Sequence, residues 1–212
     1  MINVYKNYLP LVSVVMAAYN RGSFLQRSIN SLLEQSFKEW ELVVVDDGSN
    51  DNTFEIINRY LIEYQNIRYL KHSNRKLAIT RNAGINASVG RYVTFLDTDD
   101  KYKPEHLQMR FDFMQSHPDV DLIHGGVEII GNPFVKDKYD LTKDIHLDDC
   151  TIGGTFFGKR IMFEDMNGFA DIPYSEDSEF CERASEKYKI LKVNYPTYIY
   201  YRDTADGICN NI

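Results

Sequence analysis

The chain has 212 residues, 43% of them hydrophobic and 26% charged, which is ordinary for a folded globular protein and enough to bury a substantial core. Its net charge of −7 argues against general nucleic-acid binding, which favours basic surfaces, but leaves room for a local basic pocket. Cys150, Cys181 and Cys209 are odd in number, widely spaced and free of CxxC spacing, so free thiols in a reducing cytosol are expected. The N-terminal MINVYKNYLP lacks the apolar segment of a secretory leader. No apolar run approaches the roughly 20 residues that span a bilayer. A cytoplasmic location is therefore expected, with peripheral attachment to a membrane left open.

In chain order, residues 11–17 (LVSVVMA) form a continuous Val-rich run that reads as a strand buried on both faces. A turn, AYNRGS, follows, with Ser23 as a candidate cap for a helix that presents Phe24, Leu25, Ile29, Leu32 and Leu33 on one side. Residues 41–45 (ELVVV) read as a second buried strand, and DDGSNDN as turn chemistry. A helix over 53–64, a short strand over 67–71, a helix over 77–88 and a strand over 92–96 come next. Pro104 suits the start of a helix that runs to about residue 116, because its missing N–H is harmless there.

The first 116 residues thus alternate strand and helix, the pattern of a parallel sheet covered by helices. Ligands in such sheets bind beyond the carboxyl ends of the strands. Two acidic groups stand at such ends: Asp46 and Asp47 after the second strand, and Asp97, Asp99 and Asp100 after the fourth. Like charges this close repel and raise one another's pKa values, so a cation, a run of backbone N–H groups or solvation must compensate.

The second half reads as a strand over 120–130, a polar loop or hairpin over 131–150, and a small-then-aromatic stretch over 151–157. A short helix over 159–166, a turn at Asn167-Gly168, a helix from after Ser175 to Tyr188, and strands over 190–193 and 197–201 follow. Without a linker signal, one α/β domain is expected over 1–212, with a nucleotide half at about 11–116 and an acceptor half at about 117–212.

Read singly, the motifs are ambiguous. Asp97-Thr98-Asp99 offers the hard oxygen ligands that magnesium or manganese takes beside substrate phosphates, or it is an acidic turn. Within VDDGSNDNT, Asp51 or Asn52 suits the cap of the next helix, whereas Asp46 and Asp47 are better placed to accept hydrogen bonds from a base N–H or ribose hydroxyls. Arg81, in KLAITRNAGINAS, sits among small residues and suits a pyrophosphate or the acidic strand exits. The five histidines show no ligand spacing.

Taken in order, AYN, VDDGSNDNT, ITRNAG and FLDTDD resemble the inverting family 2 glycosyltransferases of the GT-A fold. The family's usual pattern is a strand ending in YN, then VDDGSxDxT, ARNxG and DSDD. Thr80 and Thr98 stand where Ala and Ser are usual. NGF (167–169) before SEDSEFCER (175–183) is similar to the family's acidic pair at the start of a late helix. YYRDTADG is similar to its YRxH element, with Arg202 in place and Thr204 where His is usual.

The resemblance implies a GT-A, Rossmann-like, mostly parallel sheet. It also implies sugar transfer from a nucleotide-diphosphate sugar, UDP foremost, to a hydroxyl of a glycan or lipid-linked acceptor, with inversion. It implies that Asp47 binds the base beside Ala17 and Tyr19, with Asp46 and Thr98 nearby. It further implies that Arg81 contacts the nucleotide, Asp97 the ribose, and Asp99 a Mn2+ or Mg2+ ion. Asp177 becomes the general base, with Glu176 beside it and Arg202 in the closing loop. Polysaccharide or glycolipid synthesis is the implied setting, and a partner subunit is compatible with it. The alternatives are a sugar-nucleotide-binding module without catalysis and a metal-dependent phosphoesterase or nucleotidyltransferase. The latter lacks a glycine-rich phosphate loop after the first strand and gives Asp177 no role.

Overall fold

The computed structural model describes residues 9–202. Thr204 and Cys209 lie outside the described residues, so the expectations attached to them are not addressed. The elements in chain order are β1 (Val12–Ala18), α1 (Gly22–Leu33), β2 (Trp40–Asp46), α2 (Thr53–Glu63), β3 (Ile67–Lys71), α3 (Lys76–Ala87), β4 (Tyr92–Phe95), β5 (Lys101–Tyr102) and α4 (His106–Ser116). Then come β6 (Leu122–His124), β7 (Val127–Ile130), β8 (Phe134–Lys136), β9 (Asp144–His146), β10 (Phe157–Lys159), α5 (Arg160–Asp165), α6 (Glu176–Ser185), β11 (Ile190–Lys192) and β12 (Tyr198–Tyr201).

A seven-stranded sheet in the order β11-β6-β10-β4-β1-β2-β3 forms the centre. Every pairing in it is parallel except those of β10, which runs against both β4 and β6. Alternation along the buried strands sorts the core into two layers. Val12, Val14 and Met16 of β1 join Leu25 and Ile29 of α1, Ile57 of α2 and Met114 of α4 on one face. Val15 of β1 and Phe95 of β4 join Ala78 and Ile85 of α3, Phe163 of α5 and Phe180 of α6 on the other. Helix α3 lies tight against β1 because Gly84 has no side chain: a Cβ there would come within 2.3 Å of Val15.

Three expectations change. The α1 cap is not Ser23; the helix starts at Gly22, whose N–H donates to Asp51 across the turn, and Asp51 also accepts from the Thr53 N–H of α2. One carboxylate thereby serves two helix starts. The predicted strand over 120–130 is two strands, because Gly125 and Gly126 both take positive φ, 93° and 72°. β6 stays in the main sheet, while β7 joins β12 and β5 in a second sheet. The last residue of the small-then-aromatic stretch, Phe157, opens β10 (Phe157–Lys159), the reversed strand of the main sheet.

The break at Gly126 carries a prediction. A Cβ there would sit 2.2 Å from the Tyr195 backbone, in a φ range that L side chains avoid. Gly126→Ala is expected to destabilise by more than about 1 kcal/mol. In a thermal melt of a chain this size that lowers the midpoint by roughly 2–4 °C or more; an unshifted midpoint would mean that the two sheets do not need this glycine to separate.

Candidate active site

Strand order reverses at β1, with β2 and β3 to one side and β4 to the other. Crevices at such switch points, beyond the carboxyl ends of the strands, are where open α/β sheets bind ligands. A cleft of about 820 Å³ opens there. Ala17, Tyr19, Asp47, Arg81, Asp97, Thr98 and Asp99 line it from the first half of the chain, and Glu176, Asp177 and Arg202 from the second.

Asp46 is the exception among the sequence-predicted residues, and the expectation is corrected. It ends β2 fully buried, outside the cleft lining. Its carboxylate accepts hydrogen bonds from the Ser49 N–H (2.7 Å) and the Tyr69 hydroxyl (2.5 Å), with Lys71 at 3.6 Å. Burial pushes its pKa up, but these partners outweigh burial and hold it below the ordinary value. Asp46 builds the turn that presents Asp47.

Asp47 faces the cleft and accepts from the backbone N–H groups of Arg75 (2.6 Å) and Lys76 (3.0 Å), with His72 Nδ1 at 3.3 Å. It therefore fixes the start of α3, where Lys76 takes a positive φ of 71°. An ionised carboxylate has about four acceptor positions, so capacity for a ligand N–H remains.

One turn into α3, Arg81 is almost wholly buried, its side chain 5% exposed. Nη2 reaches both Asp97 oxygens, at 2.9 and 3.2 Å, and Nη1 donates to Glu176 at 3.0 Å. The rings of Phe95 and Phe169 flank the guanidinium at 5.7 and 5.6 Å. Burial alone would lower its pKa; the Asp97 and Glu176 charges reverse that and raise it. Of the two roles open to Arg81 in the sequence, the structure displays the pairing with the acidic strand exits.

The acidic turn after β4 treats its three carboxylates differently. Asp97 pairs with Arg81. Asp99 lines the cleft, and its backbone carbonyl is held by the Arg27 guanidinium. Asp100 is fully buried, accepting from the Tyr198 hydroxyl (2.6 Å) and the Tyr201 N–H (2.9 Å). Burial, then the charges of Asp97 and Asp99, push the Asp100 carboxyl well above the usual range. Thr98 is buried, its carbonyl accepting from the Ser28 hydroxyl at 2.6 Å.

Across the cleft, Asp177 stands in the first turn of α6. It accepts from the Gly153 N–H (2.9 Å) and the Ser178 N–H (2.7 Å). Burial, and next the neighbouring Glu176, raise its pKa to about 6, against the opposing effect of the Gly153 N–H and Arg81. Arg202 donates to the carbonyls of Asn132 (3.4 Å) and Phe134 (3.2 Å), bracing the foot of the β8–β9 hairpin. Two contributors stand outside the site residues named from sequence, although a loop or hairpin was expected over 131–150. One is the Gly153 N–H that holds Asp177. The other is that hairpin, which walls the cleft with Val135, Lys136, Lys138 and Tyr139 and is tied to Glu182 of α6 by Lys138 and the Tyr139 hydroxyl. The paired glycines at 153–154 were the legible signal for the first; the hairpin's three-residue strands are too short to show a period.

Among the described residues, no three His, Cys, Asp or Glu side chains converge into a metal cage. Asp99 at the cleft lining, two residues from an Asp97 paired with Arg81, offers the hard oxygen ligands that magnesium and manganese take alongside substrate phosphates. No helix among the described residues is long and apolar enough to cross a membrane.

The sequence profile of glycosyl transferase family 2 matches residues 13–173. The chain belongs to this family. The Escherichia coli glucosyltransferase WfgD is 33% identical over 149 residues, covering 68% of this chain and 57% of WfgD. S. aureus TarS (residues 1–349), solved with UDP-GlcNAc, superposes with a TM-score of 0.75 at 23% identity, covering 93% of this chain and 60% of that one. The mannosyltransferase PcManGT of Pyrobaculum calidifontis, solved with GDP-Man and Mn2+, gives 0.72 at 19% identity, covering 94% and 59%. At these identities the structural likeness establishes the GT-A fold. The chain spans about half the length of the curated relatives it matches.

The capping role of Asp47 is testable without substrate. Asp47→Ala removes the acceptor for two N–H groups at the start of α3, and is expected to cost about 1 kcal/mol of stability, as lost helix caps do. Urea unfolding of the unliganded protein reads this out; an unchanged midpoint would show that the cap contributes nothing.

Proposed function

We propose that this family 2 glycosyltransferase moves a sugar from a UDP-sugar to a hydroxyl of a glycan or lipid-linked acceptor, with inversion and with a divalent metal. One observation carries the reading: the Asp97–Asp99 turn and Asp177 line one cleft, and Arg81 ties the two together through Asp97 and Glu176. The relatives support the donor class. WfgD is named for UDP-Glc and a GlcNAc-diphosphoundecaprenol acceptor, and TarS was solved with UDP-GlcNAc.

In this reading Asp47 accepts the uracil N–H while Ala17 and Tyr19 flank the base. Tyr19 is 47% exposed in the cleft, leaving its ring free to be covered. Asp97, held by Arg81, takes a ribose hydroxyl. Asp99 would hold Mn2+ or Mg2+ together with the donor diphosphate, and the ion would supply Lewis-acid stabilisation of the charge on the leaving diphosphate. Asp177 removes the proton of the attacking acceptor hydroxyl. With a pKa of about 6 it is mostly ionised at neutral pH yet basic enough to take a proton. The attack comes from the face opposite the leaving diphosphate, which inverts the anomeric centre. The free thiols Cys150 and Cys181 suit a reducing compartment, and a lipid-linked acceptor would bring the chain to the inner membrane surface to assemble polysaccharide or glycolipid.

Thermal melts with UDP, GDP, CDP and dTDP, each with and without manganese, test the donor and metal roles. UDP with manganese is expected to raise the midpoint by mass action, and Asp99→Asn to abolish the manganese-dependent part. A shift with another nucleotide alone would overturn the Asp47–uracil pairing, and no shift with any of them would overturn the reading.

Asp177→Asn is expected to keep UDP binding while the transfer rate falls roughly 100- to 10,000-fold, the usual worth of a positioned base. In the wild type the rate should climb with pH through about 6 and level off above it, because the ionised form works. A rate that is flat from pH 5 to 8 would remove Asp177 from the reaction.

A further inference from the structure

Tyr198 is wholly buried in β12, where its ring packs edge-on to Tyr102 at 5.7 Å. A ring alone would make it a core residue. Its hydroxyl, however, ends among polar groups that belong to the cleft. It donates to Asp100 Oδ2 at 2.6 Å and accepts from the Asp97 N–H at 3.4 Å, so it touches both ends of the acidic turn. The far side of the hydroxyl lies on Gly154, where a Cβ would come within 2.4 Å of the Tyr198 oxygen and 2.6 Å of Cζ. Gly154 adjoins Gly153, whose N–H holds Asp177. A fully buried carboxylate such as Asp100 requires hydrogen-bond donors, which anchors the hydroxyl in place.

We propose that Tyr198 is a positioning residue that locks the Asp97–Asp100 turn and the Gly153–Gly154 turn together, setting the separation between the metal-side carboxylate and Asp177. The chemical part rests on the functional reading above; the mechanical part does not. The hydroxyl, rather than the ring, is the lock: it spans from the Asp97 N–H and Asp100 to the face of Gly154, while the ring fills core that phenylalanine fills equally.

Residue-resolved amide hydrogen exchange tests the mechanical part. In the wild type, the amides of Asp97, Tyr201 and Gly153 are expected to exchange through one shared opening with the same denaturant dependence. In Tyr198→Phe all three should exchange at least roughly tenfold faster, while the β1 amides keep their protection. Three independent openings in the wild type, or a Phe variant altered at Asp97 alone, would overturn the lock. Gly154→Ala, which presses on the hydroxyl from the other side, should speed the same three amides; no change there would also overturn it.

A manganese titration of UDP binding tests the chemical part. The half-saturating manganese concentration is expected to rise roughly 10- to 100-fold in Tyr198→Phe, as loss of an outer-shell partner does, with kcat falling more than KM rises. Faster exchange with an unchanged manganese requirement would overturn the link to the metal side. A wild type that binds no UDP would overturn the functional reading, while the exchange pattern still decides the lock.

Discussion

Arg81 sits out of water between two carboxylates that come from different halves of the sequence. Asp97 follows β4 in the first half of the chain; Glu176 opens α6, 95 residues beyond Arg81. A buried charge of this kind is costly unless it is paired and hydrogen-bonded, and removing one partner of such a pair typically costs about 3–5 kcal/mol. The arrangement therefore ties the two walls of the cleft together. It also depends on Gly84: only because α3 lies against β1 without an intervening side chain does Arg81, three residues earlier, reach the mouth of β4. The guanidinium fixes Asp97, and through Glu176 it fixes the first turn of α6, so the position of Asp177 is set by the same charge.

The three carboxylates after β4 coexist because they do not share one environment. Asp97 has a cation, Asp100 has a hydroxyl and an N–H inside the protein, and Asp99 is left at the cleft. Asp100 carries a raised carboxyl, pushed well above the usual range first by burial and then by the charges of its two neighbours.

Much of this was legible in the sequence because it rests on local rules. Buried parallel strands read as Val-rich runs, and the acidic groups fall at their carboxyl ends whatever the tertiary detail. The boundaries of β1 and α3 fall within a residue of expectation for the same reason. What was missed depends on contacts distant in sequence. Asp46 and Asp47 are adjacent and identical, and Tyr69 and Lys71 of the neighbouring β3 join Ser49 in holding Asp46 inward. The reversed strand β10 has three residues, and its place between β4 and β6 is a tertiary fact. Asp51 suited one cap on sequence grounds and serves two helices, because the turns after β1 and β2 meet above adjacent strands.

The site also weakens the fold that carries it. Asp177 has its pKa raised to about 6 in the folded chain, above the ordinary carboxylate value. The native state therefore binds a proton there that the unfolded chain has already released. That contribution to stability is present below the unfolded value and is lost as pH rises through about 6. At neutral pH the ionised Asp177, beside Glu176 and partly removed from water, is a net cost. The Gly153 and Ser178 N–H groups and the nearby Arg81 reduce that cost without cancelling it, since the pKa stays raised. A carboxylate held fully satisfied by its neighbours would be a weaker base. The residual strain at the mouth of α6 is what leaves Asp177 basic, and the Arg81 pair on the adjoining residue is what lets the helix tolerate it.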